Sequence, residues 1–309
     1  MKIGIPNKAF SSNPYLVEKL KKYPFEIILN NTNRRLKGEE LILFLLDCDY
    51  AIIGLEEINA PILKRLPKLK FISKFGVGMN NINLEDLKKF DVGIKMTHGV
   101  NKRAVSELTL SFILSLIRNT HKTSLELKSG LWNKNGGYGL SSMTVGIIGC
   151  GMIGQDLLEL LAPFNPKILI NDIKKIDLPI KFKKYLFVEK DELFAHSDII
   201  SIHTPLTSQT NNLINNQVFS KIKKGSFIIN TARGGIVNEK DLHSALNDKT
   251  IAGAALDVYE NEPPINFELL NDNRVICTPH IAGNSEEAVL KMGNAAIDNL
   301  IEYINKNEI

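Results

Sequence analysis

The sequence predicts an α/β protein built from two doubly wound parallel-sheet domains. Three observations predict it. Short apolar strands alternate with amphipathic helices through the first hundred residues, and a second series of the same kind opens at "TVGIIGCG" (144–151). Between the two lies a helical stretch and a loop with a different pattern. The 309 residues are long enough for two hydrophobic cores.

In order, "KIGIP" (2–6) reads as a strand and "PYLVEKLKKY" (14–23) as a helix. "FEIIL" (25–29) and "YAIIGL" (50–55) are strands around the helix "GEELILFLLD" (38–47). "LKFISKF" (69–75) and "VGIKMTH" (92–98) continue the strand series, with "APILKRL" (60–66) and "NLEDLKKF" (83–90) helical between them. Asn83 fits the cap of the last of these helices. Residues 101–128 read as one long helix, apolar over much of its surface, which calls for cover by a domain or a subunit. The loop "SGLWNKNGGYGLSS" (129–142) follows. The last segment, 285–306, reads as a helix returning to the first domain.

Composition removes several classes of function. Hydrophobic content is 44% and charged content 23%, the balance of an ordinary globular protein. The net charge of +4 is carried by scattered lysines, not by the basic stripe a nucleic acid or membrane surface needs. Cys48, Cys150 and Cys277 have no metal-ligand spacing, so no metal is expected; three sparse cysteines fit a reducing cytoplasm better than a disulfide framework. The N-terminus has no signal-peptide core, and no run reaches the roughly 18 apolar residues of a membrane span.

Chemistry concentrates at strand ends. Gly149, Gly151 and Gly154 have the G-x-G-x-x-G spacing, after an apolar strand and before a helix. In that context the first glycine permits the tight turn, the second lets the backbone approach a pyrophosphate, and the third packs helix on strand. The helix N-terminus adds amides and partial positive charge. The next strand, "KILINDI" (167–173), leads to Asp172, an acid able to accept the 2′-hydroxyl of an adenosine ribose. Later strands end in His203-Thr204-Pro205, Thr231-Ala232-Arg233, Asp257 (followed by Glu262) and His280. Ligands of doubly wound sheets bind outside these carboxyl ends. Arg233, Glu262 and His280 are therefore expected to meet beside the nicotinamide end of a dinucleotide. A cation, an acid and a histidine placed so suit hydride transfer to a carbonyl next to a carboxylate. Taken singly, Arg233 also fits a solvated cation, Glu262 a surface acid and His280 a core histidine. His203 reads as structural or cofactor-adjacent.

These segments resemble the NAD-dependent D-isomer specific 2-hydroxyacid dehydrogenases, and among them the D-3-phosphoglycerate dehydrogenases. The resemblance runs through "KFGVGMNNIN" (74–83), "GVNKRAVSE" (99–107), "VGIIGCGMIG" (145–154), "HTPLTSQT" (203–210), "NTARGGIV" (230–237), "ALDVYENEPP" (255–264) and "TPHIAG" (278–283). It implies a Rossmann cofactor domain, residues 99–283, inserted in a flavodoxin-like substrate domain formed by 1–98 and 284–309. It implies an Arg–Glu–His catalytic set at Arg233, Glu262 and His280. NAD contacts would fall on Val77, the Gly149–Gly154 loop with Met152 and Ile153, Asp172, Thr204, Pro205, Thr231, Ala232, Arg233, Asp257, His280 and Gly283. Substrate contacts would fall on Lys74, Gly76, Val77 and Gly78, with Arg233 and His280. It further implies a cytoplasmic homodimer acting on a small 2-hydroxy or 2-oxo acid. The candidates are 3-phosphoglycerate and, alternatively, glyoxylate or hydroxypyruvate. A non-enzymatic NAD-sensing corepressor is a further alternative. A formate dehydrogenase fits less well, because those relatives carry glutamine where Glu262 stands. Met152, Lys74 and Asn80 depart from the family's frequent arginine, arginine and aspartate.

Overall fold

The computed structural model describes every residue except 33, 308 and 309. The chain forms two compact units, one of residues 1–101 with 283–309, the other of residues 102–282.

The first unit is built on a five-stranded parallel sheet in the order β2-β1-β3-β4-β5: β1 Lys2–Ile5, β2 Glu26–Leu29, β3 Tyr50–Ile53, β4 Phe71–Lys74 and β5 Gly93–Lys95. Both faces are covered, so the strands read as continuous apolar runs. Ala51 and Ile53 of β3 face Leu41, Leu45, Ile62 and Leu63. Tyr50 and Ile52 face the opposite layer, with Phe10, Leu16, Leu20 and Leu300. Space on the first face is tight at Gly4, where a Cβ would come within 2.5 Å of Leu45. The C-terminal helix Glu286–Asn307 lies in this unit, with Ala296, Ile297, Leu300 and Ile304 buried; the Ser73 hydroxyl of β4 donates to the Ala296 carbonyl at 2.6 Å. Asn83 caps its helix by accepting from the Glu85 and Asp86 amides.

The second unit has a seven-stranded parallel sheet in the order β12-β11-β10-β9-β6-β7-β8. Its strands are β6 Thr144–Ile148, β7 Lys167–Asn171, β8 Leu186–Phe187, β9 Ile199–Ile202, β10 Ser226–Asn230, β11 Ile251–Leu256 and β12 Val275–Cys277. Side chains again alternate between two cores. Val145 and Ile147 face one, and Ile148 the other, with Ile200, Ile202 and Ile228. The order reverses between β6 and β9. A crevice opens at such a reversal, because the connections on its two sides leave in opposite directions.

The stretch read as one helix over 101–128 is two, Lys102–Ile117 and Thr120–Lys128. Asn119 breaks it at a φ of +52°. No glycine or proline stands at the break. The cause is the loop beyond: the Tyr138 amide takes the Ile117 carbonyl at 2.8 Å, and Arg118 Nε donates to the Gly136 carbonyl at 2.9 Å. The first helix buries Ala104, Val105, Thr109, Phe112, Ile113, Leu116 and Ile117; the second buries nothing. Among the described residues no helix is long and apolar enough to cross a membrane.

Candidate functional site

The turn after β6 shows a separate reason for each of its three glycines. Gly149 has a φ of +90°, and a Cβ there would stand 2.7 Å from the His203 carbonyl oxygen. Gly151 would meet nothing within 4 Å, so its backbone borders open space that a bulky group can enter. Gly154 would place a Cβ 2.4 Å from the Gly149 carbonyl oxygen, which fixes the helix Met152–Leu161 against the turn. Amides at this helix end face the space that Gly151 leaves, the arrangement a pyrophosphate needs. The same helix is fastened to Lys102–Ile117: Arg103 pairs with the buried Asp156 at 3.1 Å, and the Ser106 hydroxyl donates to the Ile153 carbonyl at 3.2 Å.

Asp172 follows β7 and turns back to the glycine turn. Its Oδ2 accepts the Cys150 amide at 2.7 Å and its Oδ1 the Lys174 amide at 2.8 Å. Each oxygen keeps acceptor capacity for a ribose hydroxyl. Next along the edge, His203 bonds the buried Ser201 hydroxyl at 2.9 Å through Nε2. Its Nδ1 and the Thr204 hydroxyl are shut from solvent without a hydrogen-bond partner. Burial pushes the His203 imidazole down to about 4, so it is neutral at physiological pH.

The turn after β10 is shaped by Asn230, a residue that sequence reasoning passed over. Its side chain accepts the Ala232 amide at 3.1 Å and donates to the Arg233 carbonyl at 2.9 Å. Thr231 is buried, its hydroxyl 2.9 Å from that of Thr109. Arg233 Nη1 donates to the Ala232 carbonyl at 2.6 Å. Burial pushes the Arg233 guanidinium down, and the Glu262 charge opposes that.

His280 stands after β12 with a φ of +54°, a left-handed conformation rare for a residue with a Cβ. The fully buried Asp257 holds the turn. It accepts the Thr278 hydroxyl at 2.5 Å and the Ile281 and Ala282 amides at 2.8 Å each. Both Asp257 oxygens are thus engaged within the turn. His280 Nδ1 lies 2.8 Å from Glu262 Oε2, and both side chains remain about two-fifths exposed, at 38% and 40%. Burial alone would raise the Glu262 carboxyl. The hydrogen bond and charge of His280, the Tyr259 amide and the Arg233 charge together outweigh it and hold the group below its ordinary value. Arg233, Glu262 and His280, from three different strand ends, therefore form one electrostatically coupled group. A carboxylate-oriented imidazole beside a guanidinium can exchange a proton with a bound oxygen while an anionic neighbour is held.

The remaining expected site residues lie in the first unit. Lys74 is buried, 3% exposed, and its ammonium donates to the Gly54 carbonyl. The buried Glu56 accepts the Gly54 amide at 2.7 Å, and Asn81 donates to the Gly54 and Glu56 carbonyls. Gly76 turns at a φ of +94°. A Cβ on Gly283 would press on Asn101 at 2.7 Å. Among the described residues no group of histidine, cysteine and acidic side chains could hold a metal.

Residues 110–282 match the family model of the D-isomer specific 2-hydroxyacid dehydrogenase, NAD binding domain. The chain is 32% identical to a hydroxypyruvate reductase of Thermotoga maritima, over 89% of this chain and 91% of that one. It is 37% identical to a glyoxylate reductase of Thermofilum pendens, over 86% and 81%. A D-3-phosphoglycerate dehydrogenase of Bacillus subtilis is 32% identical over 80% of this chain but only 47% of its own length. Among solved structures, the NAD-dependent formate dehydrogenase of Staphylococcus aureus in complex with NAD superposes with a TM-score of 0.84. It is 31% identical, over 99% of this chain and 96% of that one.

The His203 environment predicts a pH dependence of stability. Its folded value lies below the ordinary 6.5, so the folded state stays neutral where the unfolded chain takes up a proton. Its contribution to stability is intact above pH 6.5 and is lost as pH falls towards about 4. His203→Gln, which does not titrate, is expected to flatten the fall of melting temperature across that window. A parent and variant with parallel melting profiles would contradict the assignment.

Proposed function

Because the chain belongs to the D-isomer specific 2-hydroxyacid dehydrogenase family, we propose that it interconverts a small, unphosphorylated 2-oxo acid, of the glyoxylate or hydroxypyruvate kind, and the corresponding 2-hydroxy acid. The enzyme is an NAD-dependent oxidoreductase of that family. The observation that carries the proposal is the 2.8 Å bond between His280 and Glu262 with Arg233 coupled beside it.

The residues fit the dinucleotide. The Gly149–Gly154 turn, with the amides of Met152 and Ile153, would hold the pyrophosphate, and Asp172 would accept a hydrogen bond from a hydroxyl of the adenosine ribose. Thr204, Pro205, Thr231 and Ala232 stand at the neighbouring strand ends and would flank the dinucleotide. Asp257 acts through the turn it holds. When bound, the nicotinamide supplies or accepts a hydride at the substrate carbon. Arg233 grips the carboxylate with its forked donors and polarises the carbonyl. With Nδ1 of His280 engaged by Glu262, Nε2 gives the proton to the carbonyl oxygen in reduction and takes it back in oxidation. The roles of Lys74, Gly76, Val77, Gly78 and Gly283, at the substrate or the cofactor, are proposed from the motif resemblance alone.

Two observations favour an unphosphorylated acid. Lys74, the cation best placed by the motif to meet a phosphate, is buried and bonded to the Gly54 carbonyl. The glyoxylate reductase of Thermofilum pendens is 37% identical, against 32% for the phosphoglycerate dehydrogenase of Bacillus subtilis. We further propose a homodimer through the arm of residues 120–138. Leu127, Leu131, Trp132 and Tyr138 are exposed there, Trp132 at 79%, although the arm is fastened by backbone bonds and needs no freedom. Exposed apolar surface held in this way marks an interface.

Steady-state rates with NADH are expected to favour glyoxylate or hydroxypyruvate over 3-phosphohydroxypyruvate; a higher kcat/KM for the phosphorylated acid would overturn the substrate assignment. Asp172→Ala is expected to narrow the preference for NADH over NADPH in the same assay.

His280→Ala should lower kcat by about 10²–10⁴ while NADH binding survives, as expected for loss of a general acid–base group. Glu262→Gln keeps the size and removes the charge on the partner of His280 Nδ1, so kcat should fall while NADH binding survives. An unchanged kcat would separate Glu262 from the proton-transfer step.

Light scattering should report a dimer for the parent and a smaller species for Trp132→Glu. A parent that is monomeric at micromolar concentration would remove the arm's proposed role.

A further inference from the structure

The loop that carries Glu262 is fastened at one more place, away from His280. Glu239 is the first residue of the helix Glu239–Asn247, and it is buried, 8% exposed. Its backbone amide donates to Glu260 Oε1 at 2.9 Å, and its own Oε1 accepts the Glu260 amide at 2.7 Å. The two residues, 21 apart in the chain, thus exchange side chain for backbone in both directions. The Glu260 carboxylate also lies at the positive end of a helix, where negative charge is favoured. Burial pushes the Glu239 carboxyl up, the Glu260 amide pulls it down, and the Glu260 charge pushes it up again. A carboxylate kept there is costly unless it is hydrogen-bonded, and the Glu260 amide supplies that bond.

What they hold is the stretch leading to the acid of the reaction. The neighbouring Tyr259 amide donates to Glu262 Oε1 at 3.3 Å, while Glu262 Oε2 meets His280 at 2.8 Å. The Tyr259 hydroxyl shares its one proton between the Leu256 and Thr278 carbonyls, at 3.1 and 3.0 Å, so it braces the strand end before Asp257 and the turn before His280. On the other side, a Cβ at Gly234 would fall 1.7 Å from the Tyr259 carbonyl oxygen, so the Arg233 turn and this segment are in direct backbone contact. Segment 258–262 therefore has Arg233 on one flank and His280 on the other; besides the core packing of Val258 and Tyr259, a further anchor is the reciprocal bond to Glu239.

We propose that Glu239 is a positioning residue for the reaction: through Glu260 it sets where the Glu262 carboxylate meets His280, and so sets kcat without touching substrate or cofactor. The proposal rests on the reading of Arg233, Glu262 and His280 as the reactive group. A small displacement of an orienting group is enough to cost rate, on the order of 10²-fold for about 1 Å.

The test is a double-mutant cycle on the full-length enzyme, with NADH and the 2-oxo acid that the parent turns over best. Glu239→Ala should lower kcat by about 10–100-fold while NADH affinity, followed by fluorescence titration, is unchanged. Glu239→Gln keeps an acceptor for the Glu260 amide and should restore most of kcat. With Glu262 already replaced by Gln, Glu239→Ala should cost little more, because two residues acting through one contact are not additive. A general structural role predicts otherwise: equal losses in both backgrounds, or Gln no better than Ala, would overturn the proposal. If Glu239→Ala does not fold, Glu260→Ala takes its place in the cycle. It removes the exposed half of the exchange, and its loss should likewise vanish in the Glu262→Gln background; persistence there overturns the proposal. A parent that turns over no 2-oxo acid would instead sink the functional reading on which this one rests.

Discussion

A buried carboxylate holds the site's most strained residue. His280 is needed in a left-handed backbone conformation, which costs on the order of 1–2 kcal/mol for a residue with a Cβ. Asp257 makes that conformation stable by accepting one hydroxyl and two amides from the 278–282 turn. Hydrogen bonds to a charged acceptor are among the stronger ones, at roughly 1.5–3 kcal/mol each, so the turn is over-determined. Asp257 directly follows β11, the neighbour of β12, and its position follows from the pairing of Leu256 with Cys277. The sheet places the acid, the acid bends the next turn, and the bend aims the imidazole.

The same logic repeats along the sheet edge. Asn230 bridges the turn that carries Arg233, as Asp257 bridges the turn that carries His280. Asp172 ties the glycine turn through the Cys150 amide. Arg233, His280 and the glycine turn each stand just after a strand, and each turn is pinned by a polar side chain at or just after a strand end. Precision comes from rigid parallel strands whose carboxyl ends all lie on one edge, with no long loop to position. The neutral, buried His203 is tied into this scaffold through the Ser201 hydroxyl.

The sequence by itself determined most of the strands and the glycine turn, and it singled out the residues proposed as the reactive group. These are local signals. Two-residue alternation, three glycines at fixed spacing and polar residues just after apolar runs are written within a few positions of one another. A parallel sheet then does the rest, because it brings every strand's carboxyl end to the same edge. Only the tertiary structure decided the features whose partners are remote. The helix of 101–128 breaks at Asn119 because a loop some twenty residues later takes the Ile117 carbonyl. The strand of Leu186–Phe187 was not anticipated either; two residues are too few to carry a period. Lys74 reads as a cation for the substrate, yet it is buried against Gly54. Asp257 reads as a cofactor ligand, and only the fold shows that both its oxygens also accept from a turn 21 to 25 residues away. Glu239 reads as an ordinary acid at a helix start until Glu260 is found across from it. Residue type states what a side chain can bond. Which partner it meets depends on distances between segments, and those are fixed only when the strands pair and the helices settle on them.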